Sequence, residues 1–520
     1  MRLARVALVA LVAMSATAAE ARRDRTVTGD VIKAARLLQS ARLDEAKTVL
    51  DDLEKRAPDN PDVKWLAGEL AFQTGDYAGA LKDLDKVTDD AADGMAGQTK
   101  KLAASTLEVT SSFVDARSPK GHFIIRYAPG KDAAIAELAG DVLDQAWQAI
   151  GEDLGLQPAD PIRVEILGAP ADLARMSPLT ETEIETTGTI ALSKYNKLMV
   201  VSPRATLFGY PWMDTLAHEY THLLVSRISH DTVPVWMQEG IARFEQTRWR
   251  RPPEVVLTST EQALLTAGLR KGRLITFDEM HPSMAKLPSQ EAAALAYAEV
   301  YTLIGWMQSK VGFKGIRDAL ALQRDGKSAK RAVTEAMNLP WPQVEKEWHA
   351  HLKVGDGKAR AGRPIKFGKG GADSENVGIE TVSARARKHA RLGGMLRARG
   401  ALEAAAVEYE KALAATGGPP EPFVAGKLAR TLVELGRYDR AIELATPLAA
   451  TDDHDAVAAV TLGMARTAKQ AWPEAIAAYE QALRVSPFDP QTRCGLAEAY
   501  AKMKDARAAR ERAACDVLKN

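Results

Sequence analysis

The sequence predicts a mainly α-helical protein with a small α+β domain in its middle and helical-repeat arrays at both ends. Three observations predict it. Alanines recur at a period of about 34 residues near each terminus, short β-branched segments cluster between residues 121 and 203, and amphipathic helical spacing resumes from Asp214 to about Leu352. A chain of 520 residues exceeds one core and suggests roughly three or four folding units. The apolar fraction of 46% and the charged fraction of 26% are those of an ordinary soluble protein. Lys+Arg number 69 against 68 Asp+Glu, so no global positive field exists with which to grip nucleic acid.

At the start, MRLARVALVALVAMSATAAE has Arg2 and Arg5, an apolar stretch from Val6 to Met14, and small residues from Ser15 to Ala19. This reads as a signal peptide over 1–19, and the apolar stretch is too short for a membrane anchor. No other segment is long enough to cross a bilayer. An exported protein with no integral membrane span is expected, periplasmic or secreted.

The N-terminal repeat occupies about residues 29–110, where ARLDEAKTVLDDLEKRAPDN is echoed by GDYAGALKDLDKV and Ala46 and Ala80 stand 34 apart. Toward the C-terminus the same position recurs at Ala405, Ala441, Ala475 and Ala509, over intervals of 36, 34 and 34. With Gly436 and Tyr438 at a helix turn, and Pro487 and Pro490 after a second helix, the pattern resembles tetratricopeptide repeats, here over 29–110 and 383–518. The resemblance implies α-solenoids at both ends and a protein partner bound through them; unrelated alanine-rich hairpins are the alternative. Only Cys494 and Cys515 are present, so a disulfide scaffold is excluded. Both lie about ten residues from a turn near Lys504 and Asp505, which permits a disulfide, with buried free thiols as the alternative.

Between the arrays, GHFIIRYAP (121–129), PIRVEILGA (161–169), TGTIALS (187–193) and KLMVVSP (197–203) read as strands, the last two as a hairpin joined by KYNK. The acidic run TETEIET reads as a solvated face. A Gly- and Lys-rich stretch over 353–382 reads as a flexible linker between a domain over 120–352 and the second array.

The chemistry concentrates in LAHEYTHLL (216–224). His218 and His222, four apart, project about one turn apart from a single helical face, so both imidazoles can reach one ion. Glu219 is rotated off that axis and can address a water that a zinc ion acidifies to a pKa of about 7. Composition alone would place HExxH in such a chain about once in a hundred, so the pattern carries weight without deciding the matter. A core helix with Leu216, Ala217, Leu223 and Leu224 turned inward is the alternative, but it would leave two histidines and a glutamate needing partners. The third ligand is expected in PVWMQEGIA: Pro234 suits a helix start, Glu239 is the natural ligand, and Gly240 would let this helix pack against the histidine helix. Glu245 competes for the ligand role. His349 and His351, two apart, diverge and do not suggest a second site; His122, His230, His281, His389 and His454 are isolated.

HEYTH followed by PVWMQEGIA resembles the gluzincin metallopeptidases, in particular the peptidase MA-like domains that couple HExxH to a WxxEGxA helix. The fold class implied is mainly α with an α+β zincin-like metallopeptidase domain over about 120–352. By this resemblance His218, His222 and Glu239 bind Zn2+, Glu219 is the general base, and a tyrosine of a later helix steadies the oxyanion. Tyr297 is preferred to Tyr301 for that role, with two core tyrosines as the alternative. Gln238 stands where the thermolysin group has asparagine, and the spacing to Glu239 is shorter than in aminopeptidase N, so amine recognition is not carried over.

The resulting expectation is an exported zinc metallopeptidase, an endopeptidase acting on a peptide or protein substrate, with strand 197–203 pairing with an extended peptide and the repeats recruiting substrate or partner. The alternative is a catalytically inactive zinc-binding repeat scaffold for envelope protein assembly. An aminopeptidase would need a free-amine pocket for which no residues present themselves.

Overall fold

The computed structural model describes residues 26–87, 94–250, 252–253, 257–281, 284, 287–352, 367–368, 379, 382–415, 421–451 and 456–519. The signal-peptide reading of 1–19, most of the linker reading and His454 lie outside them. The described residues are mostly helical, with one small mixed sheet among them.

The N-terminal array comprises α1 (26–39), α2 (Leu43–Arg56), α3 (Pro61–Thr74), α4 (Tyr77–Leu84) and α5 (Met95–Thr110). Asn60 caps α3 by accepting from the N–H groups of Asp62 and Val63, and Pro61 sits in its first turn. Ala46 and Ala80 are fully buried where paired helices touch.

The middle region follows as β1 (Val114–Arg117), β2 (Phe123–Tyr127), α6 (Ala133–Leu154), β3 (Ile162–Leu167), α7 (Pro170–Met176), α8 (Glu181–Thr187), β4 (Ala191–Lys194), β5 (Lys197–Val201), α9 (Trp212–Ser229), α10 (Val235–Glu245), α11 (Ser259–Lys271), α12 (Gln290–Arg324), α13 (Ala329–Met337) and α14 (Trp341–His351). The sheet order is β1-β2-β3-β5-β4; β2, β3 and β5 are parallel, and the two outer strands are antiparallel. Alternation assigns the faces: Leu198 and Val200 join the core under α6 and α9, whereas Met199 and Val201 pack with Leu173, Met176 and Ile184 on the other side. The acidic run forms α8, with a capping box between Thr180 and Glu183 and only Ile184 buried.

Two expectations are corrected here. The hairpin turns on two residues, Tyr195 and Asn196, both at positive φ (54° and 57°), so Lys194 and Lys197 of the expected KYNK loop are the closing pair of the strands. Moreover β5 lies inside the sheet between β3 and β4, so both of its edges are filled. Of the hairpin's two strands the one with an outer edge is β4, because the chain turns back at Tyr195 and places β5 beside β3. The tetrapeptide of β1, VDAR, was not anticipated; it is short and buries no side chain fully.

The second array runs from α15 (Ala384–Ala398) through α16 (Leu402–Ala414), α17 (Pro422–Glu434), α18 (Tyr438–Thr451), α19 (Ala456–Ala468), α20 (Trp472–Leu483) and α21 (Pro490–Lys502) to α22 (Ala508–Lys519). Ala405, Ala441 and Ala475 are fully buried. Ala509 is exposed, and the buried row of α22 is Glu511, Ala514, Cys515 and Leu518. Within that row the Glu511 carboxylate meets buried Arg493 of α21 at 2.6 Å, a pair that burial requires to be matched. Cys494 and Cys515 are joined by a disulfide, Cα atoms 5.0 Å apart. Inside the stretch read as a linker, Gly368 donates its N–H to Ala205 O and Phe367 bridges to Thr206.

Both arrays dock on the middle region. Tyr77 Oη donates to buried Glu165 (2.7 Å), Lys197 Nζ donates to Tyr77 Oη (2.9 Å), and Phe72 packs edge-on against Tyr195 (5.1 Å). Burial pulls the Lys197 ammonium down to about 8 against the Glu165 charge. On the other side Trp212 Nε1 donates to Leu483 O (3.0 Å), Arg493 to Ala134 O (2.6 Å) and Arg510 to Asp141 (2.5 Å). Tyr479, Leu483, Leu496 and Tyr500 of the repeats share the core of α6 and α9.

Candidate metal centre

α9 buries Leu216, Ala217, Tyr220, Leu223 and Leu224 beneath the sheet, which turns His218 and His222 to the cleft side. His230 and Asp231 follow at positive φ (56° and 59°), a conformation these residue types tolerate better than most, and reverse the chain into α10. The reversal returns Glu239 to the histidines.

The two Nε2 atoms lie 3.1 Å apart, and Glu239 Oε2 is 3.4 Å from that of His218 and 3.7 Å from that of His222. All three ligand atoms fall within 4.8 Å of one another, the one such group among the described residues. Bonds of 2.0–2.1 Å at tetrahedral angles separate ligand atoms by about 3.4 Å, so these spacings fit a zinc ion without rearrangement. Each imidazole is also held from behind: His218 Nδ1 contacts Gln246 Oε1 (3.3 Å) and His222 Nδ1 contacts Gln238 Oε1 (3.2 Å). An Nδ1–H donated to an amide oxygen leaves the Nε2 lone pair facing the ion site. The three side chains are 16 to 20% exposed, open enough for a small ligand to enter.

Electrostatics follow from this crowding. Burial alone would raise Glu239, but the two imidazoles, His222 foremost, hold it well below the usual carboxylate range; against its own burial, His222 is pushed up by the Glu239 charge. Glu219 is 7% exposed, and burial raises it despite the opposing pull of His222 and His218. The Ser193 backbone of β4 works against that rise as well. On α12, Tyr297 feels the charge of Glu239 first, then burial and Glu219, all of which hold its hydroxyl protonated. The Arg243 guanidinium lies 5.8 Å from the Tyr297 ring centroid and is fixed by Glu261 (2.6 Å).

The structure thus brings His218, His222, Glu239, Glu219 and Tyr297 together. Tyr301 packs its ring on Phe244 (6.1 Å). Glu245 is fully buried near Asp153 and Arg248, where burial pushes its pKa well up, and it takes no part in the cluster. Gly240 does not face α9: a Cβ there would meet Val300 O and Ile304 Cγ1 of α12, each at 2.9 Å, so its close approach is to the tyrosine helix. The His349 ring packs at a tilt against Trp348 and that of His122 against Trp147, and His389 bonds Glu408. Sequence reasoning missed the two glutamines as imidazole partners. Their signal was a spacing of eight on α10 and its cap, which puts Gln238 and Gln246 on one helical face.

The model of the peptidase MA superfamily matches residues 142–354, and tetratricopeptide repeat models match 33–96 and 463–504. No curated protein matches the chain. Among solved structures, MamA AMB-1 is similar at 22% identity over 28% of this chain and 88% of that one, TM-score 0.24. Leukotriene A4 hydrolase from Saccharomyces cerevisiae is similar at 11% identity over 79% and 67%, TM-score 0.30, and the yeast enzyme with bestatin at 10% over 78% and 67%, TM-score 0.29. Residues 142–354 are a peptidase MA superfamily domain, with tetratricopeptide repeats on both sides of it.

Proposed function

We propose that the protein is an exported zinc-dependent endopeptidase. The observation that carries this reading is the convergence of His218, His222 and Glu239 within 4.8 Å, with the buried Glu219 in their electrostatic reach. Zinc held there would supply Lewis acidity toward a peptide carbonyl and a water ionisable at neutral pH. An extended substrate would lie along β4, whose outer edge faces Glu219 through Ser193. The Glu219 carboxylate would take the proton of the attacking water and pass it to the leaving amine nitrogen, and burial, which raises its pKa, improves it as a base. The Tyr297 hydroxyl, kept protonated by the neighbouring carboxylates, would donate to the developing oxyanion. The repeats would recruit the protein substrate or a partner.

The test is cleavage of an unstructured protein and of N-acetylated peptides by wild type and Glu219→Gln, with bound zinc measured in both. Cleavage by wild type alone, with zinc in both, supports the reading. Zinc without cleavage in either supports a scaffold instead, and cleavage only of peptides with a free N-terminus supports an aminopeptidase.

A further inference from the structure

The first helix of the second array carries a surface that neither the candidate site nor the repeat packing uses. Along α15 one side is spent inward: Ala386, Ala390 and Gly393 are buried, and a Cβ on Gly393 would come within 2.7 Å of the Tyr409 ring. The cations bordering that side have partners. His389 Nδ1 meets Glu408 (2.7 Å), Arg397 meets Glu434 (2.5 Å) and Arg387 donates to Val382 O (2.9 Å).

The opposite side is uncovered. Arg385, Lys388, Arg391 and Arg399 are exposed, and their side chains have no ion pair or hydrogen bond among the described residues. Between them stand two large apolar side chains, Leu392 at 37% and Met395 at 55% exposure. Positions 385, 388, 392, 395 and 399 recur every three or four residues, so they form one stripe, with Lys388 and Arg391 flanking Leu392. Residues 384–399 hold six Lys and Arg and no carboxylate, in a chain whose formal net charge is only +1. Four unpaired cations around a protruding apolar pair is the pattern that seats a helix on an acidic interface, with cations at the phosphates and apolar tips in the acyl boundary.

We propose that the outer face of α15 docks the protein on an anionic phospholipid bilayer. Charge complementarity selects that occupant, and the arrangement works without any membrane-crossing helix, of which none is found among the described residues. Arg385, Lys388, Arg391 and Arg399 contact lipid phosphates, and Leu392 and Met395 enter the headgroup boundary.

The experiment is co-sedimentation of the full chain with phosphatidylcholine vesicles, with and without about 30% phosphatidylglycerol, at low and high salt. Wild type should bind only the anionic vesicles and be released by salt. Lys388→Ala/Arg391→Ala should weaken binding roughly 25-fold, about fivefold per cation, and Leu392→Ser/Met395→Ser several-fold with the salt dependence kept. An equal charge change at exposed Arg270 and Lys271 of α11, Arg270→Ala/Lys271→Ala, should leave binding unchanged. Circular dichroism checks that each variant is folded. No binding of wild type to anionic vesicles, salt-insensitive binding, or equal loss in the α11 control would each overturn the proposal, as would a patch that captures only an acidic protein.

Discussion

Removing the side-chain amide behind His222 should weaken the proposed metal site without touching a proposed ligand. In Gln238→Ala the 3.2 Å contact to His222 Nδ1 disappears, and with it the restraint that keeps Nε2 within 3.1 Å of its His218 counterpart. A neutral hydrogen bond of this kind is worth about 1 kcal/mol, near a factor of five. The freed imidazole also regains ring orientations that must be lost again on binding, so the expected loss is roughly 10- to 100-fold in zinc affinity, or about 1.4 to 2.8 kcal/mol. Gln246→Ala should act alike through the 3.3 Å contact at His218. Gln246→Glu should act the other way, because a carboxylate on Nδ1 makes the ligand more basic. The assay is competition for zinc against a chromophoric chelator at fixed pH. Alanine variants that hold zinc within about twofold of wild type would refute the positioning role of these amides.

Three further outcomes follow from the packing. Glu299 on α12 is buried, with Oε1 taking the Ile275 N–H at 2.9 Å and Oε2 unpartnered, and burial pushes it up to about 8 from 4.5. A raised carboxyl stabilises the fold fully below its unfolded value and loses that contribution as pH rises through the folded one. Wild type should therefore lose on the order of 4 kcal/mol between about pH 4.5 and 8, and Glu299→Gln should flatten that slope in denaturant titrations. Reducing the Cys494–Cys515 bond, which spans 21 residues, should cost the terminal repeat about 3 kcal/mol, read as earlier unfolding in denaturant under reductant. Gly240→Ala should push α10 off α12 at Val300 O and weaken both thermal stability and zinc affinity, since Glu239 is the adjacent residue.

The site was legible because its residues are close in sequence and helical geometry alone pairs them: four positions between His218 and His222 make one face, and one short turn returns Glu239. The same local logic placed Ala46, Ala405 and Cys494 in helical hairpins. What stayed hidden depends on long-range pairing. KLMVV is more apolar than ALSK, but neither strand's residues name β3 as the neighbour; that order arises from a crossover. Gly240 could have faced α9 or α12, and only the packing of Val300 and Ile304 decides. The preference for Tyr297 over Tyr301 came from the resemblance, and what the sequence did not show is that Phe244 packs against Tyr301. The sharing of one core by Trp212 and Tyr479 joins segments more than 250 residues apart, beyond any periodicity.

The most direct measurement is the metal content of purified protein equilibrated with zinc and then desalted. One equivalent of zinc in wild type and in Glu219→Gln, falling to none in His222→Ala and Glu239→Ala, is the predicted result. No stoichiometric zinc in wild type, or a full equivalent retained without His222 and Glu239, would contradict the assignment of this cluster as the metal centre.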